Sequence, residues 1–504
     1  MRQKSRNCPP RASAMIEALR GLGYSTASAL ADIIDNSIAA SSHLINIQFI
    51  WNGEESIITI LDDGHGMDEA QLESAMRLGE RSPLEARTAN DLGRFGLGLK
   101  TASFSQSRSL SVASKKDTKV SCLRWDLDVL TDSNDDGWHL LENFSKKSEF
   151  LLDGFLKVKT GTLVVLEKLD RIITDGFTEQ HFLDLIDTVE RHLSMVFHRY
   201  LEGKIPKIVI AINNRPIHPW NPFLPDHPAT WSSPVERFSA AGGTVEVQCH
   251  VLPHKDKLDP RVQDTAGGPD GWTAQQGFYV YRNERLLLAG SWLGLGQGRS
   301  WTKEEAHRLA RIRLDISNKC DSEWKIDIRK STARPPVLIR SRLTRLAEDT
   351  RARARRVFAH RGQTVRFGDS QPIIQAWLSV NFGGGMRYRI DENHPAIRAV
   401  LDEAGALTPQ IKAMLRVIEE TIPVQRIWLD TAEAKETPST GFENSALIEM
   451  KNILNIVFRS LVNKKGISPS VARERLLNTE PFHNYPDLVA ALPNDPAKEG
   501  ELIS

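Results

Sequence analysis

The 504 residues include 65 Lys and Arg against 64 Asp and Glu, so the chain as a whole has no net field that would attract a polyanion. Its hydrophobic fraction of 40% and charged fraction of 26% are typical of globular proteins, and its length allows about three domains. The four cysteines share no CxxC spacing, which argues against a disulfide framework and a zinc site. No uninterrupted apolar run approaches about 18 residues, so we expect a cytoplasmic protein that does not span a membrane.

Helices are predicted near the N-terminal end, over residues 12–21 and 26–40, with Ser25 or Thr26 available as a cap. A β-hairpin follows, because an Asn-Gly turn separates two apolar runs and supplies the positive φ angles that a tight turn needs. The runs of the hairpin are 43–50 and 56–62, and later strands are predicted near 108–114, 119–127 and 161–167. This mixture predicts an α+β sandwich, with helices packed on a mostly antiparallel sheet.

Three regions are predicted along the chain. Residues 1–171 form the first domain, and a helical stretch at 178–201 followed by new strand-like runs indicates a second domain at 172–345. The arginine-rich segment 337–362 has a helical pattern and would link this domain to a third, mixed α/β region within 346–504, whose role the sequence does not predict.

One predicted helix carries a carboxylate and a carboxamide on a single face. At 100° per residue, Leu30 and Ile34 form an apolar stripe, whereas Asp32 and Asn36 lie together on the opposite side. An acid there can orient and deprotonate a water molecule, and the amide oxygen one turn later can ligate Mg²⁺. Asp35 lies one residue away from this face and is expected to make a structural hydrogen bond. The alternative interpretation is a solvated helix face.

A second feature is an acidic, glycine-containing loop at the end of the strand 56–62. Asp62 is followed by Gly64 and Gly66 in a D-x-G-x-G pattern. A buried carboxylate at a strand end can accept a hydrogen bond from an exocyclic amine, and glycines let the backbone approach a flat base closely. The alternative interpretation is an ordinary acidic turn, which would have the same sequence pattern.

A third feature is a glycine-rich stretch that precedes a helical pattern. Gly93, Gly96 and Gly98 could present backbone N–H groups to phosphates at the start of a helix. The stretch is not a P-loop, because Leu99 separates Gly98 from Lys100 and turns the lysine to another side of the helix.

In this order and spacing, the three features resemble the GHKL, or Bergerat, ATP-binding fold, which implies ATP and Mg²⁺ as ligands. The resemblance implies that Asp32 is the general base, Asn36 the Mg²⁺ ligand and Asp62 the carboxylate that reads adenine. The base would be lined by Gly64, Gly66, Met67 and Thr162, and the lid that contacts phosphate would include Gly93, Arg94, Phe95, Gly96, Leu97, Gly98 and Lys100.

The sequence departs from the family at the base position. Most members have Glu there, and Asp32 is shorter by one methylene, or about 1.5 Å of reach. Slow hydrolysis is therefore expected. The alternative is a scaffold that senses ATP with little or no hydrolysis and recruits partner proteins.

Within the superfamily, the chain resembles MORC ATPases and their bacterial relatives over residues 10–335. The segments that carry this similarity include 76–79, 217–223 and 281–286. The resemblance implies a transducer domain of ribosomal-S5-like type, an ATP-dependent homodimer that closes as a clamp, and a DNA-directed role with partner proteins in a bacterial restriction or anti-phage defence system.

A transducer lysine reaches the γ-phosphate in such relatives. Lys330 is the first candidate here and Lys325 the second, and each has the alternative of being a surface lysine on an edge strand. The arginines between Arg340 and Arg356 suggest contact with duplex DNA, although Glu348 interrupts them and arginines on long helices often face solvent. A chaperone function is disfavoured, because no long acidic linker is present.

Overall fold

The computed structural model describes residues 8, 10–80, 98–132, 137–240, 242–326, 332–359, 374–382, 385–427, 446–464 and 466–493. The chain divides into two units, Met1–Gly362 and Gln363–Ser504.

In the described part of the chain, seven strands form the first sheet: β1 (Leu44–Ile50), β2 (Ile57–Asp62), β3 (Ser109–Lys116), β4 (Lys119–Asp126), β5 (Gly161–Glu167), β6 (Val209–Ile212) and β7 (Arg215–Pro216). The order across the sheet is β4-β3-β5-β2-β1-β6-β7. The predicted hairpin is confirmed, since β1 pairs with β2 from Ile45 opposite Asp62 to Ile50 opposite Ile57. Gly53 in its turn has a φ of +56°, a conformation that glycine adopts readily.

The helices around this sheet are α1 (Ala12–Arg20), α2 (Thr26–Ala39), α3 (Glu69–Met76), α4 (Gly98–Phe104), α5 (Leu127–Asp132), α6 (Phe150–Phe155), α7 (Glu179–Val196) and α8 (His198–Leu201). The main core lies between the sheet and α1, α2, α4 and α7, and includes Leu30, Ile47 and Phe104. On the opposite face of the sheet, Phe155 of α6 packs with Val165. The arrangement confirms the predicted α+β sandwich.

Residues 179–216 complete this first sheet, although the sequence predicts that a second domain begins at 172. α7 buries Phe182 and Val189 in the first core, and β6 runs parallel to β1 with Val209 opposite Leu44. An amphipathic pattern indicates that a helix covers a core but does not indicate which core. The sequence therefore could not assign α7.

The second sheet of the larger unit contains β8 (Trp231–Ser232), β9 (Glu236–Ala240), β10 (Gly243–Val251), β11 (Gly277–Arg282), β12 (Arg285–Ser291) and β13 (Ala310–Ile316). Its order is β12-β11-β13-β10-β8, and β9 also pairs with β10. Shorter helices α9 (Pro260–Ala266), α10 (Gly271–Ala274) and α11 (Asp321–Trp324) precede the long helix α12 (Val337–Ala359).

α12 belongs to the core of the second sheet. Its Leu343 and Ala347 are fully buried with Ile312 and Leu314 of β13. The predicted domain boundary at residue 345 falls inside this continuous helix, because the arginines that suggested a linker alternate with apolar residues that face the sheet.

The other face of the second sheet meets the first domain through polar contacts. Nε2 of His198 lies 2.8 Å from the hydroxyl of Tyr281, and the Tyr200 hydroxyl donates to the carbonyl of Asn283. Arg199 also forms an ion pair with Asp315 of β13. Met195 of α7 also lies in a buried cluster with Tyr281 and Leu286, so that polar and apolar contacts together join the two parts of the unit.

The smaller unit contains a hairpin of β14 (Trp377–Phe382) with β15 (Gly385–Ile390), followed by α13 (Pro395–Glu403) and α14 (Thr408–Glu420). Further helices span Ala446–Arg459, Pro469–Leu477 and Pro486–Ala490. Its core is built mainly from the first two of these, with Leu454, Phe458 and Leu476 buried, and also contains Phe482.

Candidate functional site

The predicted metal ligand Asn36 lies on the exposed side of α2. Its amide nitrogen donates to the carbonyl oxygens of Asp32 and Ile33, at 3.1 and 3.3 Å. Among the residues that the structure describes, none donates to the side-chain oxygen. That oxygen is therefore oriented away from the helix backbone and can ligate a hard cation.

The predicted base, Asp32, is buried, contrary to the alternative of a solvated helix face. Its Oδ2 accepts a hydrogen bond from the Tyr24 hydroxyl at 3.0 Å, and its Oδ1 accepts one from Nη2 of Arg285 at 3.2 Å. Asp35 accepts a bond from Nε of the same arginine at 3.1 Å, in keeping with the structural hydrogen bond expected of it. The guanidinium of β12 thus reaches two carboxylates of α2.

Asp62 lies at the end of β2 and is held by three donors. The Ser37 hydroxyl donates to Oδ2 at 2.8 Å, and the backbone N–H groups of Gly64 and Thr162 donate to Oδ1 at 3.0 and 3.1 Å. Burial raises the pKa of this carboxyl group, whereas the three hydrogen bonds oppose the rise. A carboxylate fixed in this way still has lone pairs that can accept a bond from an amino group.

The glycines around Asp62 permit close backbone approach. Gly66 has a φ of +67°, and a Cβ there would lie 2.0 Å from the carbonyl oxygen of Lys115. Gly161 has a φ of +147°, and a Cβ there would lie 2.0 Å from the carbonyl oxygen of Asp62. Any side chain at either position would push β2, β3 and β5 apart.

Ser114 of β3 connects the loop to the strand behind it. Its hydroxyl accepts a bond from the N–H of Met67 at 2.8 Å and lies 2.9 Å from the hydroxyl of Thr162. The predicted base-lining residues Gly64, Gly66, Met67 and Thr162 therefore lie together around Asp62, on the strand ends next to α2.

The glycine-rich segment is described only in part. Gly93, Arg94, Phe95, Gly96 and Leu97 lie outside the described residues, and so does Lys330. Lys325 is exposed and follows the short helix α11 in a left-handed conformation.

Lys100 lies on α4, which begins at Gly98. Its ammonium group is buried and donates to the carbonyl oxygen of Ala75, at the end of α3, at 2.9 Å. Burial lowers the pKa of this lysine to about 8, and the charge of Glu80 acts in the opposite direction.

The arginines of α12 are largely engaged within the second domain. Arg342 donates to Glu236 at 2.8 Å, Arg351 lies 4.7 Å from the ring centres of Trp292 and Trp301, and Arg353 lies 4.0 Å from that of Trp231. Arg342, Arg345, Arg355 and Arg356 are the exposed arginines among the described residues of this segment, and Arg342 is already paired with Glu236. Fewer of them are available to a phosphate backbone than the sequence alone suggests.

Metal clusters and membrane-spanning helices are absent from the described residues. No group of three or more His, Cys, Asp or Glu side chains there could hold a metal ion. Every helix there is too short or too polar to cross a membrane.

Sequence reasoning missed the partners of the predicted residues. Ser37, Ser114 and Tyr24 carried no pattern of their own. Arg285 lies in the segment 281–286 that resembles MORC ATPases, and it begins a strand whose next residues are apolar and buried. A charge at the head of such a strand must find a partner, and this is a signal that could have identified it.

Comparison with known proteins identifies a family match over the region that contains these residues. Residues 24–162 match the family described as histidine kinase-, DNA gyrase B-, and HSP90-like ATPase. The chain is also 31% identical to the ATPase morc-1 of Caenorhabditis elegans over 96 residues, which are 19% of this chain and 11% of that protein. Thus the chain spans about a tenth of the length of this relative. Residues 24–162, which include Asp62 and the helix of Asp32 and Asn36, thus match the GHKL ATPase family, and the chain resembles MORC ATPases.

Proposed function

We propose that this chain binds ATP with Mg²⁺ and hydrolyses it slowly, as a MORC-like ATPase. The observation that carries the proposal is the buried Asp62, which Ser37, Gly64 and Thr162 hold beside the helix of Asn36. An acceptor in that setting can pair with the amino group of adenine, and the neighbouring glycines let the backbone approach a flat base closely.

The remaining binding residues follow from the same placement. Asn36 offers its amide oxygen to Mg²⁺, which would neutralise negative charge on the phosphates. The segment from Gly93 to Lys100 would contact the phosphates. Lys330, or Lys325 in its place, would contact the terminal phosphate from the second domain.

Asp32 would carry out the chemical step. Its carboxylate would align a water molecule with the terminal phosphorus and take the proton that the water loses as the new P–O bond forms. ADP leaves as the bond to the bridging oxygen breaks. Donors that are already fixed before reaction stabilise the charge that develops on the phosphoryl oxygens.

The ATP state would be transmitted to the second domain. The contacts between the two parts include the ion pairs of Arg199 with Asp315 and of Lys207 with Glu284, which can break and form again as the parts move. We propose that ATP promotes a homodimer that closes as a clamp. Duplex DNA is the proposed client, contacted in part by Arg345, Arg355 and Arg356, within a defence system that includes partner proteins.

One observation favours a second candidate, an ATP-sensing scaffold with little or no hydrolysis. Both oxygens of Asp32 already accept hydrogen bonds, from Tyr24 and Arg285, and the side chain is shorter than the glutamate of most family members. Such a protein would bind ATP and change shape without turnover.

The test is ATP hydrolysis by the purified chain with Mg²⁺, with and without duplex DNA. Asp62→Asn should abolish binding, Asn36→Ala should abolish Mg²⁺-dependent turnover, and Asp32→Asn should lower turnover about 100-fold, to a residual rate that is still measurable, while ATP still binds. Glu69→Gln, an exposed carboxylate near the site, is the control for loss of a charge. Molecular mass measured with and without ATP tests the dimer. Tight binding without turnover would favour the scaffold, and loss of neither binding nor turnover in Asp62→Asn would overturn the site.

A further inference from the structure

Arg285 connects the second sheet to the predicted catalytic helix. It is the first residue of β12, and its side chain is buried against α2. Its Nη2 lies 3.2 Å from Oδ1 of Asp32, and its Nε lies 3.1 Å from Oδ1 of Asp35. One planar group from the second domain therefore binds two carboxylates of the first.

The geometry of this contact restricts the Asp32 side chain. Arg285 takes one carboxylate oxygen and Tyr24 takes the other, so rotation about either side-chain bond would break a charge-assisted hydrogen bond. These two bonds therefore fix the directions in which the lone pairs of the Asp32 carboxylate point.

Burial makes the pairing obligatory. Asp32 and Asp35 lie three residues apart on α2, with side chains about 4% exposed, so their charges are poorly screened by water. The guanidinium matches two acceptors because its donors lie in one plane, which an ammonium group cannot reproduce. Movement of β12 relative to α2 would release both carboxylates together.

We propose that Arg285 is a positioning residue for hydrolysis: it holds Asp32 in its reactive orientation, and so makes turnover depend on the docking of the second domain. The proposal rests on the proposed ATPase function. It adds a group from the second domain that acts on the base, separate from the lysine expected at the terminal phosphate.

Other ion pairs at the same surface serve as references. Arg199 with Asp315 also joins the two parts, but it does not touch Asp32. If Arg285 only helped to hold the domains together, the loss of either arginine would have similar effects on turnover.

The first experiment compares single variants by steady-state kinetics and by ATP binding. Arg285→Gln should lower kcat about 10- to 100-fold, because a displaced base loses most of its contribution. KM and ATP affinity should stay within about twofold of the wild-type values, since Arg285 does not line the proposed adenine pocket around Asp62. Arg285→Lys should recover part of the loss, because it keeps the charge but makes one contact instead of two. Arg199→Gln should leave kcat within about threefold.

The second experiment removes the hydrogen bond from Tyr24 to Asp32 by a conservative substitution, and it also tests whether Arg285 acts through Asp32. Tyr24→Phe keeps the ring in place and should lower kcat a few-fold. In an Asp32→Asn background, Arg285→Gln should cause no further loss, because no base remains to be positioned.

The possible outcomes separate the inference from the proposed function. Normal kcat in folded Arg285→Gln, an equal loss in Arg199→Gln, or independent multiplicative losses with Asp32→Asn would each overturn the inference while leaving the ATPase intact. A wild-type protein that binds ATP but never turns over would overturn the ATPase and the inference together.

Discussion

Lys100 gives a prediction in which the sign of the effect depends on pH. Its ammonium group is buried on α4, and burial lowers its pKa from 10.5 to about 8. That difference corresponds to about 3 kcal/mol of unfavourable free energy in the folded state when the amine is charged. The hydrogen bond to the carbonyl of Ala75 offsets about 1 kcal/mol of this.

The sign follows from proton binding by the two states. Below pH 8 the amine of Lys100 is charged in both the folded and the unfolded protein, so the cost of burial is present in full. Between pH 8 and 10.5 the folded protein loses this proton while the unfolded chain keeps it, so the free energy of unfolding rises with pH. Lys100→Met removes the cost and also the bond to Ala75. At pH 7 the variant should be more stable by about 2 kcal/mol, and near pH 10.5 less stable by about 1 kcal/mol.

The assay is urea unfolding of wild type and Lys100→Met at a series of pH values from 7 to 10.5, with the difference between the two proteins plotted against pH. Comparison at each pH cancels the titration of other groups. Parallel curves, or a variant that is less stable than wild type at pH 7, would refute the reasoning. If Lys100 also contacts phosphate, ATP binding at pH 8 should take up about half a proton, measured by calorimetry in buffers of different ionisation enthalpy. No uptake would mean that the amine stays on Ala75.

The remaining predictions concern recognition, backbone strain and buried charge. If Asp62 accepts from the amino group of adenine, as proposed, guanine would present an oxygen at the same position. ATP should then bind at least about 100-fold more tightly than GTP in a competition assay. Gly66→Ala should abolish ATP binding in a fluorescent-nucleotide titration, because a Cβ there would clash with the backbone. Gly79 also has a positive φ, but a Cβ there would meet open space. Gly79→Ala should therefore lower the free energy of unfolding in urea by about 1 kcal/mol and leave ATP binding intact. Arg20→Met should lower the free energy of unfolding by about 1–3 kcal/mol, because the buried Arg20 side chain donates to the carbonyl oxygen of Phe104. Arg77→Met breaks an exposed ion pair with Glu73 and should change the free energy of unfolding by less than about 0.5 kcal/mol in the same measurement. Equal effects within either matched pair would contradict the corresponding argument.

Local sequence patterns were sufficient to predict the helix α2 and the neighbouring hairpin of β1 and β2. The two apolar runs of matching length predicted β1 and β2, and the Asn-Gly pair marked the connection between them, which spans residues 51–56 and has its positive φ at Gly53. The place of Asp62 followed, since it is the last residue of a buried strand. Ser25 likewise caps α2, with its hydroxyl accepting from the N–H of Ser28 at 3.2 Å.

Long-range pairing was not predictable in the same way. β6 joins the first sheet beside β1, but nothing local in its four residues distinguishes that partner from the strands of the second sheet. The arginines of α12 present a similar difficulty. From the sequence alone, a run of charged residues is interpreted as a solvated or DNA-binding helix face. In the structure, tryptophans from distant parts of the chain lie against these arginines, Trp231 beneath Arg353 and Trp292 beneath Arg351.

The burial of Asp32 and Asp35 was only partly predictable from the sequence. A carboxylate predicted to be catalytic can be buried only with a compensating donor, so the sequence interpretation of Asp32 as a base already required a partner. The sequence offers 65 lysines and arginines, and spacing along the chain cannot choose among them. The choice of Arg285 comes from the docking of the second sheet, which brings the start of β12 against α2. The residue that sets the orientation of the base is therefore specified by tertiary structure, and this is the physical reason why turnover should respond to the position of the second domain.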